Sequence, residues 1–393
     1  MPVDLAKPLD LNGVALVAVV ANPDLRAQRL RAGVAEVQAF DARLLPDPTI
    51  GLEFGKVLAG PDPLSDLLVS VAQQLNALRT RRVRVEGAKG AAGQVRLDLA
   101  WSEWQTAGQA RIQAVRIRSL ARALAIAEAR SASARSLLER MLRAAGRGDL
   151  GGDQVQGARL AALDAAEQLR SIQKDVAAAR FELTKLMGLP PEIELALADP
   201  ALPQAPPPAE RLFQIAQAER LDLQALRAGY ASQEAAVHLA VLEQFPSLDL
   251  TVSANRDTSG NKILGSAVDF TLPAWNRNRG RIAIETATRA ALKAEFDARV
   301  FQTRSEIAAA VNGLDVAWRQ RAQLQADLPA MRHFADASGR AAERGDIAPA
   351  TAQAARDAVR DKELLLVQIE QVILEQTIAL ELLTGVPLED WTK

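Results

Sequence analysis

The chain repeats itself at a spacing of about 197 residues, half of its 393-residue length. Arg147-Gly148-Asp149-Leu150 returns as Arg344-Gly345-Asp346-Ile347, and Leu186-Met187-Gly188-Leu189-Pro190 returns as Leu383-Thr384-Gly385-Val386-Pro387. Asp24-Leu25 matches Asp222-Leu223, Leu75 and Ala77 match Leu272 and Ala274, and Leu45-Pro46 matches Phe245-Pro246. One such match means little. Five in order at a nearly constant offset mark a tandem duplication, with structural repeats at 1–200 and 201–393. The function must use both copies.

Aromatic residues make up only 4% of the chain, and the apolar content is largely Ala, Leu and Val interleaved with Arg, Glu and Gln. That mixture suits long helices packed closely side by side. The net charge of −1 indicates neither nucleic acid nor an anionic surface as a bulk electrostatic partner. Without cysteine there is no disulfide, thiolate metal site or thiol nucleophile, and no thiol to carry a lipid anchor. No apolar run approaches the roughly 20 residues of a spanning helix. Leu11 to Ala21 has signal-peptide length but leads straight into Asn22-Pro23-Asp24-Leu25. Its counterpart, Leu212 to Leu223, is internal, so it reads as a short structural helix.

Each half gives the same order of elements. A helix comes first, at 22–43 and 210–243. Two alternating segments follow, forming β-hairpins within 47–77 and 247–272. Long helical stretches span 79–145 and 277–343, and glycine turns lie near 146–152 and 344–349. A helix of about 35 residues closes each half at Gly188 or Gly385, where glycine and a proline two residues on form a stop signal. The link from Pro190 to Pro208 holds seven prolines and is expected to be extended. A continuous helix of about 67 residues would run about 100 Å, too long for an ordinary domain, so it must project. Gly146, Gly148, Gly151 and Gly152, and Gly345 with Pro349, reverse the chain at the far tip. Pro329 is expected to interrupt and kink the second long helix.

The strands rest on period-two alternation. Leu248, Leu250 and Val252 oppose Asp249, Thr251 and Ser253, and Leu264, Val268, Phe270 and Leu272 oppose Gly265, Ala267, Asp269 and Thr271. In the first half Ile50, Leu52 and Phe54 alternate with Gly51, Glu53 and Gly55. Leu67, Val69 and Val71 follow a Pro61-Asp62-Pro63 turn. Amphipathic hairpins on a soluble core and tilted strands of a membrane barrel both fit this pattern.

The arrangement resembles the outer membrane efflux protein family, the TolC-like outer membrane factors, over essentially the whole chain. The sharpest match is Leu272-Pro273-Ala274-Trp275-Asn276-Arg277-Asn278-Arg279-Gly280, similar to the segment where that family passes from its last strand into a long helix. Pro273 can end the strand, Asn276 or Asn278 can cap the helix, and the arginines belong where barrel meets periplasm. Asn22-Pro23-Asp24-Leu25, Leu44-Leu45-Pro46-Asp47-Pro48 and Trp101-Ser102-Glu103-Trp104-Gln105-Thr106-Ala107 add to the resemblance, most similar to the metal-efflux (CzcC/CusC-like) branch.

The resemblance implies a mainly α fold with a small β part: tandem long helical hairpins plus four antiparallel strands. In a homotrimer these build an α-helical tunnel topped by a shared outer-membrane β-barrel. It further implies a passive exit duct of a tripartite efflux pump in a Gram-negative outer membrane, reaching into the periplasm and carrying metal cations or small toxic compounds outward. The tips Arg147-Gly148-Asp149-Leu150 and Arg344-Gly345-Asp346-Ile347 would then meet a periplasmic adaptor and, through it, an inner-membrane pump. Some members close the tunnel with aspartate rings past the second tip glycine. Here Thr351 and Ala354 stand in that neighbourhood, leaving Asp153 and Asp346 as the candidate gate acids.

Other features read more plainly. His238 and His333 lack partners at ligand-like spacing. Arg-Gly-Asp recurs because it makes a turn, and Trp101 and Trp104 are packing anchors at a helix junction. Asn276 to Gly280 lacks the lysine-serine pair of a phosphate loop. No residue set suggests catalysis, and no cofactor or nucleic acid is expected. The remaining alternative is a soluble periplasmic coiled-coil adaptor. Such adaptors carry a single helical hairpin, whereas this chain has two.

Overall fold

The computed structural model describes residues 7–56, 58–60, 64–273 and 275–391, so the Pro61-Asp62-Pro63 turn and Ala274 lie outside the described residues. The elements are α1 (Leu11–Ala21), α2 (Pro23–Asp41), β1 (Thr49–Gly55), β2 (Asp66–Gln74), α3 (Leu75–Gly146) and α4 (Gly152–Leu186). They are followed by α5 (Ala209–Glu219), α6 (Leu221–Leu242), β3 (Leu248–Arg256), β4 (Lys262–Phe270), α7 (Arg279–Glu343) and α8 (Pro349–Thr384). The mainly helical duplicated fold is as expected. Packing follows a different division from sequence. One compact unit joins Met1–Arg26, Ser102–Arg220 and Gln302–Lys393, and the other joins Ala27–Trp101 and Leu221–Phe301. Each unit draws on both repeats.

In the first unit, α1 is the short structural helix the sequence suggests, capped by the Asp10 carboxylate, which accepts from the Gly13 N–H at 2.7 Å. Val14, Ala18, Ala110, Ala114, Leu183 and Met187 belong to its core, where the three alanines let helix axes approach closely and Leu183 and Met187 fill the space between. The helix expected over 210–243 is two helices, α5 and α6, broken at Arg220, where ψ turns to 119°. The first repeat breaks in the same way at Asn22, with ψ 123°. There Pro23 supplies no N–H. The Asn22 Oδ1 accepts from the Asp24 and Leu25 amides at 2.8 and 3.0 Å, and its Nδ2 donates to the Leu186 carbonyl at 2.9 Å.

Both repeat-end glycines press against these breaks. A Cβ on Gly188 would stand 3.0 Å from the Ala21 carbonyl carbon and closer still to its oxygen. On Gly385 it would stand 2.9 Å from the Arg220 Cα. Pro329 does not interrupt α7, which continues to Glu343. Its missing N–H removes one bond from the ladder of a 65-residue helix, and the flanking turns hold the remainder.

In the second unit the strands form one antiparallel sheet in the order β1-β2-β3-β4. The register places Ile50, Leu52 and Phe54 opposite Val71, Val69 and Leu67. It places Val71 opposite Val252, and Leu248 and Leu250 opposite Phe270 and Val268. Directly paired residues share a face, so one face is mainly apolar, interrupted by Gln73 opposite Leu250 and Ser266 opposite Val252. The other carries Glu53, Ser70, Asp249, Thr251, Ser253 and Asp269. The apolar face is uncovered: Leu52 is 76% exposed and Leu264 81%. Beside the sheet, α6 approaches α3 so closely that a Cβ on Gly90 would meet the Ser232 backbone at 3.0 Å, and the Ser232 hydroxyl donates to the Gly87 carbonyl at 2.8 Å.

Candidate functional site

The two Arg-Gly-Asp turns are built alike. At the end of α3, Gly148 takes φ +82°, its N–H bonds the Ala145 carbonyl at 2.9 Å, and the Asp149 N–H reaches back to Ala144 at 3.0 Å. At the end of α7, Gly345 takes φ +81°, bonding Ala342 at 3.1 Å, while Asp346 reaches Ala341 at 2.9 Å. This is the helix-ending motif that places glycine at the left-handed position just past the cap. The Arg147 Nε donates to the Asp149 carboxylate at 2.9 Å, and the Arg344 Nε to Asp346 at 2.9 Å. Such exposed pairs add little stability, but they fix the charge pattern each turn displays. Leu150 and Ile347 are half-buried. The turns border one groove of about 320 Å³, which takes Met141, Ala144 and Leu150 from one hairpin and Gly339, Ala342 and Pro349 from the other.

Asp153 is exposed in the first turn of α4, where negative charge meets the helix amino end. Asp346 is held by Arg344. Thr351 and Ala354 lie exposed on the first turns of α8.

The strand-to-helix junction departs from expectation. β4 ends at Phe270, before Pro273, and α7 begins at Arg279. Neither asparagine side chain caps α7. Arg277 and Asn278 are both left-handed, with φ 47° and 53°. The Asn278 Nδ2 instead donates to the Ala240 carbonyl at 2.8 Å, tying the last turn of α6 to the start of α7. Asn276 contributes its backbone carbonyl, which accepts from the Arg279 N–H at 3.1 Å. Gly280 is an ordinary helical residue with open space where a side chain would stand.

Two carboxyls outside the sheet have shifted acidities. At the β3–β4 turn, the Asn261 side-chain amide donates to Asp257 at 2.8 Å. With the Asn261 and Ser259 amides, it holds that carboxyl below the usual carboxylate range. Burial, and then the charge of Asp222, push Asp98 on α3 upward. Among the described residues no group of three or more His, Cys, Asp or Glu could hold a metal ion.

Sequence reading missed a ladder of ion pairs between α3 and α8. Arg111 meets Glu381, Arg122 meets Glu370 at 2.7 Å, and Arg130 meets Asp361 at 2.6 Å. Every cation is on α3 and every anion on α8, in the descending order antiparallel helices require. Complementary charge at matching spacings was the available signal. Glu370, only 8% exposed, also accepts from the Arg321 Nε at 3.1 Å. Glu370→Gln leaves two guanidinium groups short of a counter-charge and is expected to cost about 2–3 kcal/mol. Arg122→Gln should cost under about 1 kcal/mol, because that side chain is 49% exposed. Thermal midpoints of the solubilised variants check the order, and equal losses would contradict the central role of Glu370.

Residues 212–386 match the family model described as outer membrane efflux protein. No curated protein matches the chain in sequence. Among solved structures, the outer-membrane channel OprN superposes with a TM-score of 0.81 at 17% identity, covering 98% of this chain and 91% of that one. The Campylobacter jejuni CmeC outer membrane channel gives 0.81 at 14%, covering 95% and 85%. CusC gives 0.76 at 15%, covering 96% and 92%. The whole chain thus has the fold of these channels.

Proposed function

We infer the function of this chain from the premise that it belongs, through residues 212–386, to the outer membrane efflux protein family. It is the outer-membrane exit duct of a tripartite efflux pump, a passive conduit from periplasm to exterior. One observation carries the reading: a four-stranded sheet with an uncovered apolar face, a polar opposite face and two unpaired edges, β1 and β4. In lipid, unpaired backbone edges are costly, so a spanning sheet must close. Three copies joined edge to edge close it, with the apolar face on lipid and Glu53, Asp249, Thr251 and Ser253 toward the lumen. The family resemblance supplies the number three.

The paired tips are the docking surface for the helical hairpins of a periplasmic adaptor, which links the duct to an inner-membrane pump. Leu150, Pro349 and the groove between them offer apolar contact, while Arg147, Asp149, Arg344 and Asp346 set register. Threefold repetition of Asp153, or of Asp346, would place three acids about the axis as a gate. Two complete helical hairpins fit a duct and leave the single-hairpin adaptor reading unsupported. The resemblance assigns the cargo as metal cations or small toxic compounds.

The experiment combines fractionation with site-specific photo-crosslinking in cells. The protein should reach the outer membrane and elute as a detergent-dependent trimer. Probes at positions 148 and 345 should capture the adaptor, and a probe at 258 should not. Gly148→Val or Gly345→Val, strained by about 1–2 kcal/mol at a left-handed position, should abolish efflux while trimer and membrane insertion survive. Capture at position 258 alone would refute the docking assignment.

A further inference from the structure

We propose that the groove where α3 leaves the sheet binds the phosphate headgroup of an anionic glycerophospholipid; this rests on reading the sheet as a membrane-barrel wall. The groove, about 550 Å³, is lined by Arg43, Arg81, Arg82 and Lys89 together with Leu78 and Val85. All four cations are exposed. Glu86, also on its wall, pairs with Arg82 at 3.1 Å, but at 89% and 53% side-chain exposure that contact competes poorly with a phosphate. Arg43, Arg81 and Lys89 have no carboxylate partner among the described residues.

Arg81 is oriented as well as free of acids. Its Nε donates to the Arg43 carbonyl at 2.9 Å, which fixes one edge of the guanidinium and leaves its Nη groups for a ligand. Arg79, two residues earlier, makes the contrast. It donates to Asn76 at 2.6 Å and to the Leu242 carbonyl at 3.2 Å, and lies over the Phe245 ring, so it belongs to the fold.

The height of the groove selects the source of the phosphate. β2 ends at Gln74 and α3 begins at Leu75 without a break. At about 1.5 Å per residue, Arg81 and Arg82 stand roughly 10 Å past the last strand residue. A headgroup layer extends about 5–8 Å beyond the hydrocarbon, within reach of a long basic side chain. Leu78, 53% exposed, and Val85 add an apolar wall that a free anion has no use for and a lipid's glycerol and acyl root would cover. The second repeat repeats the chemistry where α7 leaves the sheet. There Arg277, Arg279 and Arg281 follow Trp275, which is 93% exposed, the residue type that anchors proteins at membrane interfaces. With the whole chain at −1, this basic collar is a local feature.

The test uses the full-length trimer in neutral detergent. Mixed micelles carry dioleoylphosphatidylglycerol or dioleoylphosphatidylcholine, sodium phosphate serves as the free anion, and lipid retention is read by native mass spectrometry. Phosphatidylglycerol should be retained at least about tenfold over phosphatidylcholine, and less as salt rises. Combined Arg43→Gln, Arg81→Gln and Lys89→Gln should lower its retention about 100-fold, while Arg81→Lys keeps most of it. Three outcomes overturn the proposal: unchanged retention in the triple variant; displacement of the lipid by sodium phosphate at low millimolar concentration, which marks a free-anion site; and loss of trimers in the triple variant, which marks a contact between copies. Fractionation of the wild type is scored separately: its absence from outer membranes defeats the barrel reading, whereas a membrane-inserted but lipid-indifferent protein defeats only this inference.

Discussion

Gly188→Val and Gly385→Val will sharply reduce the yield of folded protein, while the same change at Gly148 or Gly345 will leave it largely intact. All four glycines are left-handed, with φ of +61°, +79°, +82° and +81°, so each substitution carries a similar backbone strain of about 1–2 kcal/mol. Their surroundings decide the difference. At Gly148 and Gly345 a new Cβ meets nothing within 4 Å. At Gly188 it runs into the Ala21 carbonyl and the Pro23 ring, and at Gly385 into the Arg220 backbone. Backbone atoms cannot rotate aside as a side-chain end can, and overpacking adds about 1–3 kcal/mol. The sum, about 2–5 kcal/mol, is a large share of the roughly 5–15 kcal/mol that keeps a typical protein folded. Thermal midpoints and trimer yield of solubilised variants measure it. Gly385→Val as stable as Gly345→Val would mean that the α5–α6 break does not pack on the end of α8 as described.

The same glycines explain what could be read in the sequence. A left-handed residue after a helix has a local cause, so Gly148, Gly188, Gly345 and Gly385 mark helix ends wherever the chain later packs. Strand alternation is equally local: Leu248, Leu250 and Val252 share a face because of the pleat itself. Features without a local cause stayed hidden. Arg220 breaks a helix with neither proline nor glycine beside it, whereas Asn22 announces its break through Pro23. Asn278 looks like a cap in sequence, yet its amide goes to Ala240 on another helix. The pairing of Arg111 with Glu381 spans 270 residues and depends on α3 and α8 lying antiparallel. The start of α3, expected at 79, falls at Leu75 because nothing between Gln74 and Arg79 breaks the helix.

Val252→Arg will block assembly of the barrel far more than Thr251→Arg, one residue away on the same strand. Val252 lies midway along β3 and is 46% exposed on the apolar face, opposite Val71 and Ser266. Thr251 points the other way, opposite Ala72 and Ala267. An arginine facing lipid near the bilayer centre costs about 2–4 kcal/mol, and a closed ring of three chains meets that cost three times. The Thr251→Arg side chain would enter a water-filled lumen, where small neighbours leave room and its charge stays hydrated. A soluble protein would show no such asymmetry, since both faces would meet water and both substitutions would be mild. The measurement is the heat-resistant trimer fraction recovered from outer membranes for each variant, with Val252→Ala as the control for lost side-chain volume. Equal recovery of the two arginine variants would remove the lipid-facing assignment, and a greater loss from Thr251→Arg would invert it. Recovery of Thr251→Arg and Val252→Ala alongside loss of Val252→Arg is the expected result, because only that combination separates charge in hydrocarbon from damage to the strand.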